Sequence, residues 1–181
     1  MSSLSVYHVS SPDVPNKVLT HFEDIASTLA EQGVRFDHWQ ATAKIRPGAS
    51  HEDVISACQV PIDTLMTHHG LRAIDVISLD RDHPQKESIR ASFFNEHRQD
   101  QDEVLLFASG SALISVRIDD YVYAVLCERN DLISVPAGTR HWFDMGEQPS
   151  FVAIRLFNNP DGWTAQFTGE RIADQFPRLD D

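Results

Sequence analysis

The second half of the chain limits the fold most narrowly. Six short runs rich in β-branched and aromatic residues, at 104–108, 112–118, 121–127, 132–135, 141–145 and 151–157, follow one another closely. Ser109-Gly110-Ser111, Asp119-Asp120, Glu128-Arg129-Asn130-Asp131 and Gly146-Glu147-Gln148-Pro149 supply turn signals of hairpin length between them. Connections this short join antiparallel neighbours, because a parallel crossover needs a dozen residues or more. The expected architecture is therefore mainly β, an antiparallel barrel or sandwich.

Helices lead and strands follow. After a first strand at 5–8, Thr20 and Glu23 read as a capping box for a helix carrying Leu19, Phe22, Ile25, Ala26 and Leu29, which Gly33 ends. Residues 34–39 alternate as a half-buried strand, and Pro47-Gly48-Ala49-Ser50 reads as a loop. Ser50 and Asp53 then cap a helix with Val54, Ile55 and Cys58 on its apolar face. Pro61 interrupts it, Ile62, Leu65 and Met66 continue after a kink or restart, and Gly70 closes it. A short strand is expected at 75–79 and a helix over 86–94 with Ile89 and Phe93 inward. The tail 158–181, with Pro160, Gly162 and Pro177, reads as a wrap over the barrel.

At 181 residues and 41% hydrophobic content the chain suits one domain, helix-rich over 1–95, β-barrel over 96–157 and wrapped by 158–181. Its net charge of -12, from 27 acidic against 15 basic side chains, opposes nucleic acid and anionic membranes as partners. No apolar run reaches spanning length, and Met1-Ser2-Ser3-Leu4-Ser5 lacks the features of a secretory signal, so a cytoplasmic location is expected. Cys58 and Cys127 lie in apolar segments without C-x-x-C spacing and read as buried thiols.

The chemistry is concentrated in Glu96-His97-Arg98-Gln99-Asp100-Gln101-Asp102-Glu103 and Val135-Pro136-Ala137-Gly138-Thr139-Arg140-His141. On a regular strand His97, Gln99, Gln101 and Glu103 share one face. The glycine turn before His141 would start a strand near the same barrel mouth. Two imidazoles and a carboxylate make a facial triad that suits Fe(II) and its first-row neighbours and leaves positions open for substrate or O₂. Taken singly, each residue has a plainer reading: His97 as a solvated loop residue, Glu103 on an acidic face, His141 bonded to backbone at the rim. The combination favours the metal. His68-His69, at a helix end, reads as a cationic cap on the dipole, and His8, His21, His38, His51 and His83 carry no ligand signal. Arg98 and Arg140, each beside an inward residue, are expected to point outward.

The segment 95–146 resembles the acireductone dioxygenases of the cupin superfamily. So do Asp119-Asp120-Tyr121-Val122-Tyr123, Glu128 to Thr139, His141-Trp142-Phe143-Asp144-Met145-Gly146, Asn159-Pro160-Asp161-Gly162-Trp163 and Gln166-Phe167-Thr168-Gly169-Glu170. The resemblance covers nearly the whole chain. It implies a cupin-type, jelly-roll-like β-barrel and a methionine-salvage enzyme, monomeric, that cleaves a methylthio-bearing acireductone with O₂. With Fe(II) the family yields formate and the keto-acid precursor of methionine; with Ni(II), formate, carbon monoxide and methylthiopropionate. His97, Glu103 and His141 fall on three of the family's four ligand positions, and Gln99 stands where it has a third histidine. Glu96 and Asp102 fall on acidic positions beside the ligands that are tied to metal incorporation and conformational relay. Leu105 replaces an arginine thought to stabilise the substrate dianion, which leaves Arg155, at a second family arginine, to supply that charge. Leu106 to Ser115 also departs from the family run. Phe93, Phe143 and Trp163 fall where the pocket wall around the methylthio tail is expected, although each also suits plain core packing. The departures open a second reading, a cupin that has lost catalysis and binds a small molecule or a partner.

Overall fold

The computed structural model describes residues 1–41, 44–159 and 164–181. Among these residues every strand pairing is antiparallel. One face holds β1 (Ser3–His8), β2 (Lys17–Leu19), β5 (His97–Arg98), β6 (Glu103–Ile118), β7 (Tyr121–Glu128), β9 (Arg140–Asp144) and β11 (Gln166–Phe167), in the order β11-β5-β9-β6-β7-β1-β2. The second holds β3 (Arg35–His38), β4 (Ala73–Leu79), β8 (Asp131–Val135) and β10 (Phe151–Phe157), with β10 and β8 flanking the first half of β6. The expected mainly β, jelly-roll-like architecture is what the chain adopts.

One expected turn is not a turn. β6 runs straight through Ser109-Gly110-Ser111, pairing with β10 and β8 before that point and with β7 and β9 after it, so a single strand serves both faces. Gly110 permits this with φ +67 and by close approach, since a Cβ there would stand 1.9 Å from the Ser150 carbonyl oxygen. The register shift between Val152 and Ala153 is the matching irregularity on β10.

The helices are α1 (Phe22–Ala30), α2 (His51–Ala57), α3 (Gln59–His69) and α4 (Lys86–Phe94). Ser50 Oγ accepts from the Asp53 amide at 3.2 Å, which is the cap read in the sequence. The capping box at Thr20 does not form. α1 starts one residue later, at N-cap His21 with no side-chain cap, and Glu23 and Asp24 favour its first turn through the dipole instead. Pro61 sits in the first turn of α3, where an amide needs no helical partner, so the helix restarts rather than kinks. His69 is also not the cationic cap expected. Burial and the Arg35 charge hold its pKa down, and its Nε2 accepts from Arg35 Nη1 at 3.0 Å, which requires the neutral ring.

The faces of the sheets are covered in layers. Leu4, Phe36, Phe107, Ile114, Phe143 and Phe151 meet in the core between the two sheets. Val54 of α2, Ile62 of α3 and Cys58 between the two helices cover Leu106 and Ile154 on the back of the second. Phe176 and Ile172, from the tail and its 3₁₀ turn (Ile172–Gln175), cover Tyr7 and Trp142 on the back of the first. Both cysteines are buried free thiols raised above their ordinary pKa, chiefly by burial. Among the described residues no helix is long and apolar enough to cross a membrane.

Candidate active site

A narrow cavity of about 10 Å³, room for about one water molecule, opens where the two sheets meet α4. It is lined by the polar side chains of His97, Gln99, Glu103, His141 and Arg155 and by the apolar ones of Ile77, Phe93, Leu105, Ile114 and Phe143. Residues from 77 to 155 converge on it because β5, β9, β6 and β10 are neighbours in space.

His97 and His141 are register partners across β5 and β9, and their rings lie 4.5 Å apart between centroids. Each ring is fixed in the same way. His97 Nδ1–H donates to the Asn95 carbonyl at 2.8 Å, and His141 Nδ1–H donates to the Thr139 carbonyl at 2.8 Å. In a neutral imidazole that choice leaves the Nε2 lone pair for another partner. Burial pushes His97 down to about 4, with the His141 and Arg155 charges adding to it, so the ring is neutral at pH 7.

Two backbone contacts dock the turn that carries His141. Gly138, at φ +78, donates its amide to the Gln99 carbonyl at 2.8 Å, and the Ala137 amide donates to Asp102 Oδ1 at 2.8 Å. Asp102 therefore holds the loop rather than touching the cavity. Glu96 points to the opposite face of β5 from His97. It accepts from Thr168 Oγ1 at 2.8 Å and faces Arg117 Nη1 at 3.4 Å, which ties β11 over β5. The regular strand expected over 97–103 stops at Arg98, and Gln101 turns away to bond Asn158 and Asn159. His97, Gln99 and Glu103 still reach the cavity.

Gln99 is buried and contacts His141: the two Nε2 atoms are 3.1 Å apart. Because His141 Nδ1 carries the proton, the carboxamide N–H donates to the ring nitrogen. Among the described residues no three His, Cys, Asp or Glu side chains stand together as a ready metal cluster. The donor types nonetheless suit a first-row cation, since two imidazoles with Nδ1 tied to carbonyls line the same cavity as a carboxylate.

Arg155 is the one Lys or Arg among the residues lining the cavity, with its guanidinium 5.4 Å from the Phe93 ring centre. Leu105, 3% exposed, is its register partner on β6. Phe93 and Phe143 both line the cavity and pack with ring centres 5.8 Å apart, so wall and core packing are one arrangement. Trp163 lies outside the described residues.

Three residues that the sequence reading did not single out support the site. Asp75 of β4 pairs with Arg155. Its signal was an acid at an inward position of a strand where Ile77 and Leu79 share the face. Asp144, 1% exposed, accepts from Arg90 Nε at 2.7 Å, Arg90 Nη2 at 3.2 Å, the Leu179 amide at 2.9 Å and the Gly146 amide at 3.2 Å. This joins α4, which carries Phe93, to β9, which carries His141 and Phe143. Burial raises the Asp144 carboxyl, but the Arg90 and backbone hydrogen bonds outweigh it and hold the pKa below its ordinary value of 3.8. A depressed carboxylate contributes stability above its unfolded pKa and loses it as pH falls through the lower folded value. Asp144→Asn is therefore expected to cost about 3 kcal/mol at pH 7 by leaving Arg90 unpaired. Urea unfolding followed from pH 7 downward should show this gap closing as pH drops below about 4.

A family model described as the ARD/ARD′ family matches residues 6–165. The chain is 72% identical to an acireductone dioxygenase of Pseudomonas fluorescens (strain Pf0-1), over 100% of both chains. It is 61% identical to one of Pseudomonas aeruginosa (strain UCBPP-PA14), again over 100% of both. Among solved structures, an acireductone dioxygenase from Bacillus anthracis with a cadmium ion in its active center superposes with a TM-score of 0.77 at 26% identity. That match covers 92% of this chain and 98% of the other.

Proposed function

The chain belongs to the ARD/ARD′ family, the acireductone dioxygenases, and from that premise we infer that the cavity between its sheets is where acireductone meets O₂. The protein is a metal-dependent dioxygenase of methionine salvage. We assign the metal to His97, His141 and Glu103, with Gln99 as a fourth contact, and take Fe(II) or Ni(II) as its identity. The observation that carries this is the pair of buried imidazoles, each with Nδ1–H tied to a carbonyl so that Nε2 holds the lone pair, that of His141 meeting the Gln99 carboxamide. When bound, the metal supplies Lewis acidity and open positions for a chelating enediolate and O₂.

The chain's own residues do the rest. Arg155 offsets charge on the ionised substrate from within the cavity, where a low dielectric strengthens that interaction. Phe93, Phe143, Ile77, Ile114 and Leu105 take the apolar tail and keep water from the reacting carbons. Trp163, placed in that wall by sequence alone, completes the proposal. Asp102 and Glu96 act through the backbone of the segments that carry His141 and His97. We further propose that the protein works as a cytoplasmic monomer.

Purified protein loaded anaerobically with Fe(II) and given acireductone and O₂ is expected to release formate with the keto acid. Carbon monoxide with the Ni(II) form would extend the same assignment. No formate above a metal-free control, from either form, would reject catalysis. It would favour the second reading, a binding protein, which the Gln99 contact to the His141 ring nitrogen supports.

A further inference from the structure

We propose that Asp75 is a positioning residue for the reaction: it holds the Arg155 guanidinium in place in the lining of the cavity. This rests on the reading of Arg155 as the counter-charge of the ionised substrate. Three strands lie abreast here, β4, β10 and β6, and their register sets Asp75, Arg155 and Leu105 side by side. The next strand continues the row with Ile133, and β3 with Phe36. The inward row is therefore apolar except for one ion pair, Asp75 Oδ2 with Arg155 Nη2.

An arginine side chain loses much rotamer freedom when it is fixed, so a guanidinium stays in one place only where its contacts outweigh that loss. Leu105 offers no acceptor on one side. The Phe93 ring at 5.4 Å offers a cation–π contact, which sets the guanidinium over a face without fixing its direction in that plane. The Asp75 carboxylate adds a charge-assisted hydrogen bond that fixes the orientation of the guanidinium. The Asp75 side chain is 35% exposed and that of Arg155 8%, so the pair runs from the rim into the cavity. Its anionic end is screened by water while its cationic end faces the substrate. The other charged group among the lining residues is Glu103, on β6.

A neutralising role and a positioning role predict opposite signs. If Asp75 merely cancelled the Arg155 charge, removing it would tighten anionic substrate and raise kcat/KM. If it positions Arg155, removal lowers kcat/KM. Asp75→Ala is expected to lower kcat/KM about 10- to 100-fold, with Asp75→Asn, which keeps an oxygen in place, falling between it and the parent. In an Arg155→Met background Asp75→Ala should change kcat/KM less than about twofold. The independent readout is ¹⁵N NMR of the Arg155 guanidinium, expected to give resolved N–H correlations that broaden or shift in Asp75→Ala. Should Asp75→Ala fail to fold, Asp75→Asn carries the same comparison. An unmoved Arg155 spectrum, or a rise in kcat/KM, overturns the positioning role while leaving the Arg155 reading intact. A spectrum that changes with no change in kcat/KM, joined by an inert Arg155→Met, overturns both.

Discussion

His141→Ala is expected to lose bound metal and with it all measurable turnover, the largest effect any single change in this chain should produce. The ring is buried, its Nδ1–H is spent on the Thr139 carbonyl, and its Nε2 faces the cavity beside His97. Changing groups that merely orient a ligand costs about 10- to 100-fold in metal affinity, so deleting a ligand should exceed that. The fold should survive, because losing two buried hydrogen bonds costs about 1–3 kcal/mol each against a total of about 5–15. Metal content by elemental analysis, with circular dichroism to confirm folding, makes the comparison. Parent-level iron or nickel in His141→Ala would remove this residue from the proposed ligand set. Gln99→His should act in the opposite sense. It replaces a carboxamide that donates to the His141 nitrogen with a third imidazole donor, and metal retention should rise about tenfold or more.

Arg155→Met should lower kcat/KM about 10²- to 10³-fold, the usual consequence of removing a preorganised donor or charge from a developing anion. Methionine keeps much of the volume against Phe93, so the loss measured is chiefly that of the charge. Steady-state kinetics at fixed metal content tests this, and a variant within twofold of the parent would exclude Arg155 as the counter-charge. Leu105→Arg explores the same charge from the next strand. It would place a second guanidinium directly across from Arg155 at a position 3% exposed, where like charges opposed are destabilising. A stability loss of about 2–4 kcal/mol is expected from burying that charge. Combined with Gln99→His it should nevertheless raise turnover at least tenfold, since both departures from the family pattern are reversed. Unchanged turnover would mean that Leu105 and Gln99 are harmless to catalysis.

The parts of the site legible in the sequence were those written locally. α4 begins and ends where its apolar spacing places it, at Lys86 and Phe94, and the glycine turn ahead of His141 forms as read. Errors arose where a local signal met a tertiary alternative. Ser109-Gly110-Ser111 has turn chemistry, yet Gly110 uses its freedom to pass close to the Ser150 carbonyl within one continuous strand. Thr20 and Glu23 have capping spacing, yet the helix starts a residue further on. His69 ends a helix, yet burial and the Arg35 charge that reaches its ring from β3 hold its pKa down.

By itself the sequence determined the mainly β architecture and, through its resemblance, the family, and it put forward His97, Glu103, His141, Gln99 and Leu105 as candidate site residues. The architecture follows from residue type and spacing along the chain, and the family from motifs that are contiguous in it. Only the tertiary structure decided that Gln99 donates to His141, that Asp144 ties α4 to β9, and that Asp75 holds Arg155. The physical reason is register. Asp75 and Arg155 lie 80 positions apart, and nothing local in either segment says that β4 will pair with β10 so that the two meet side by side.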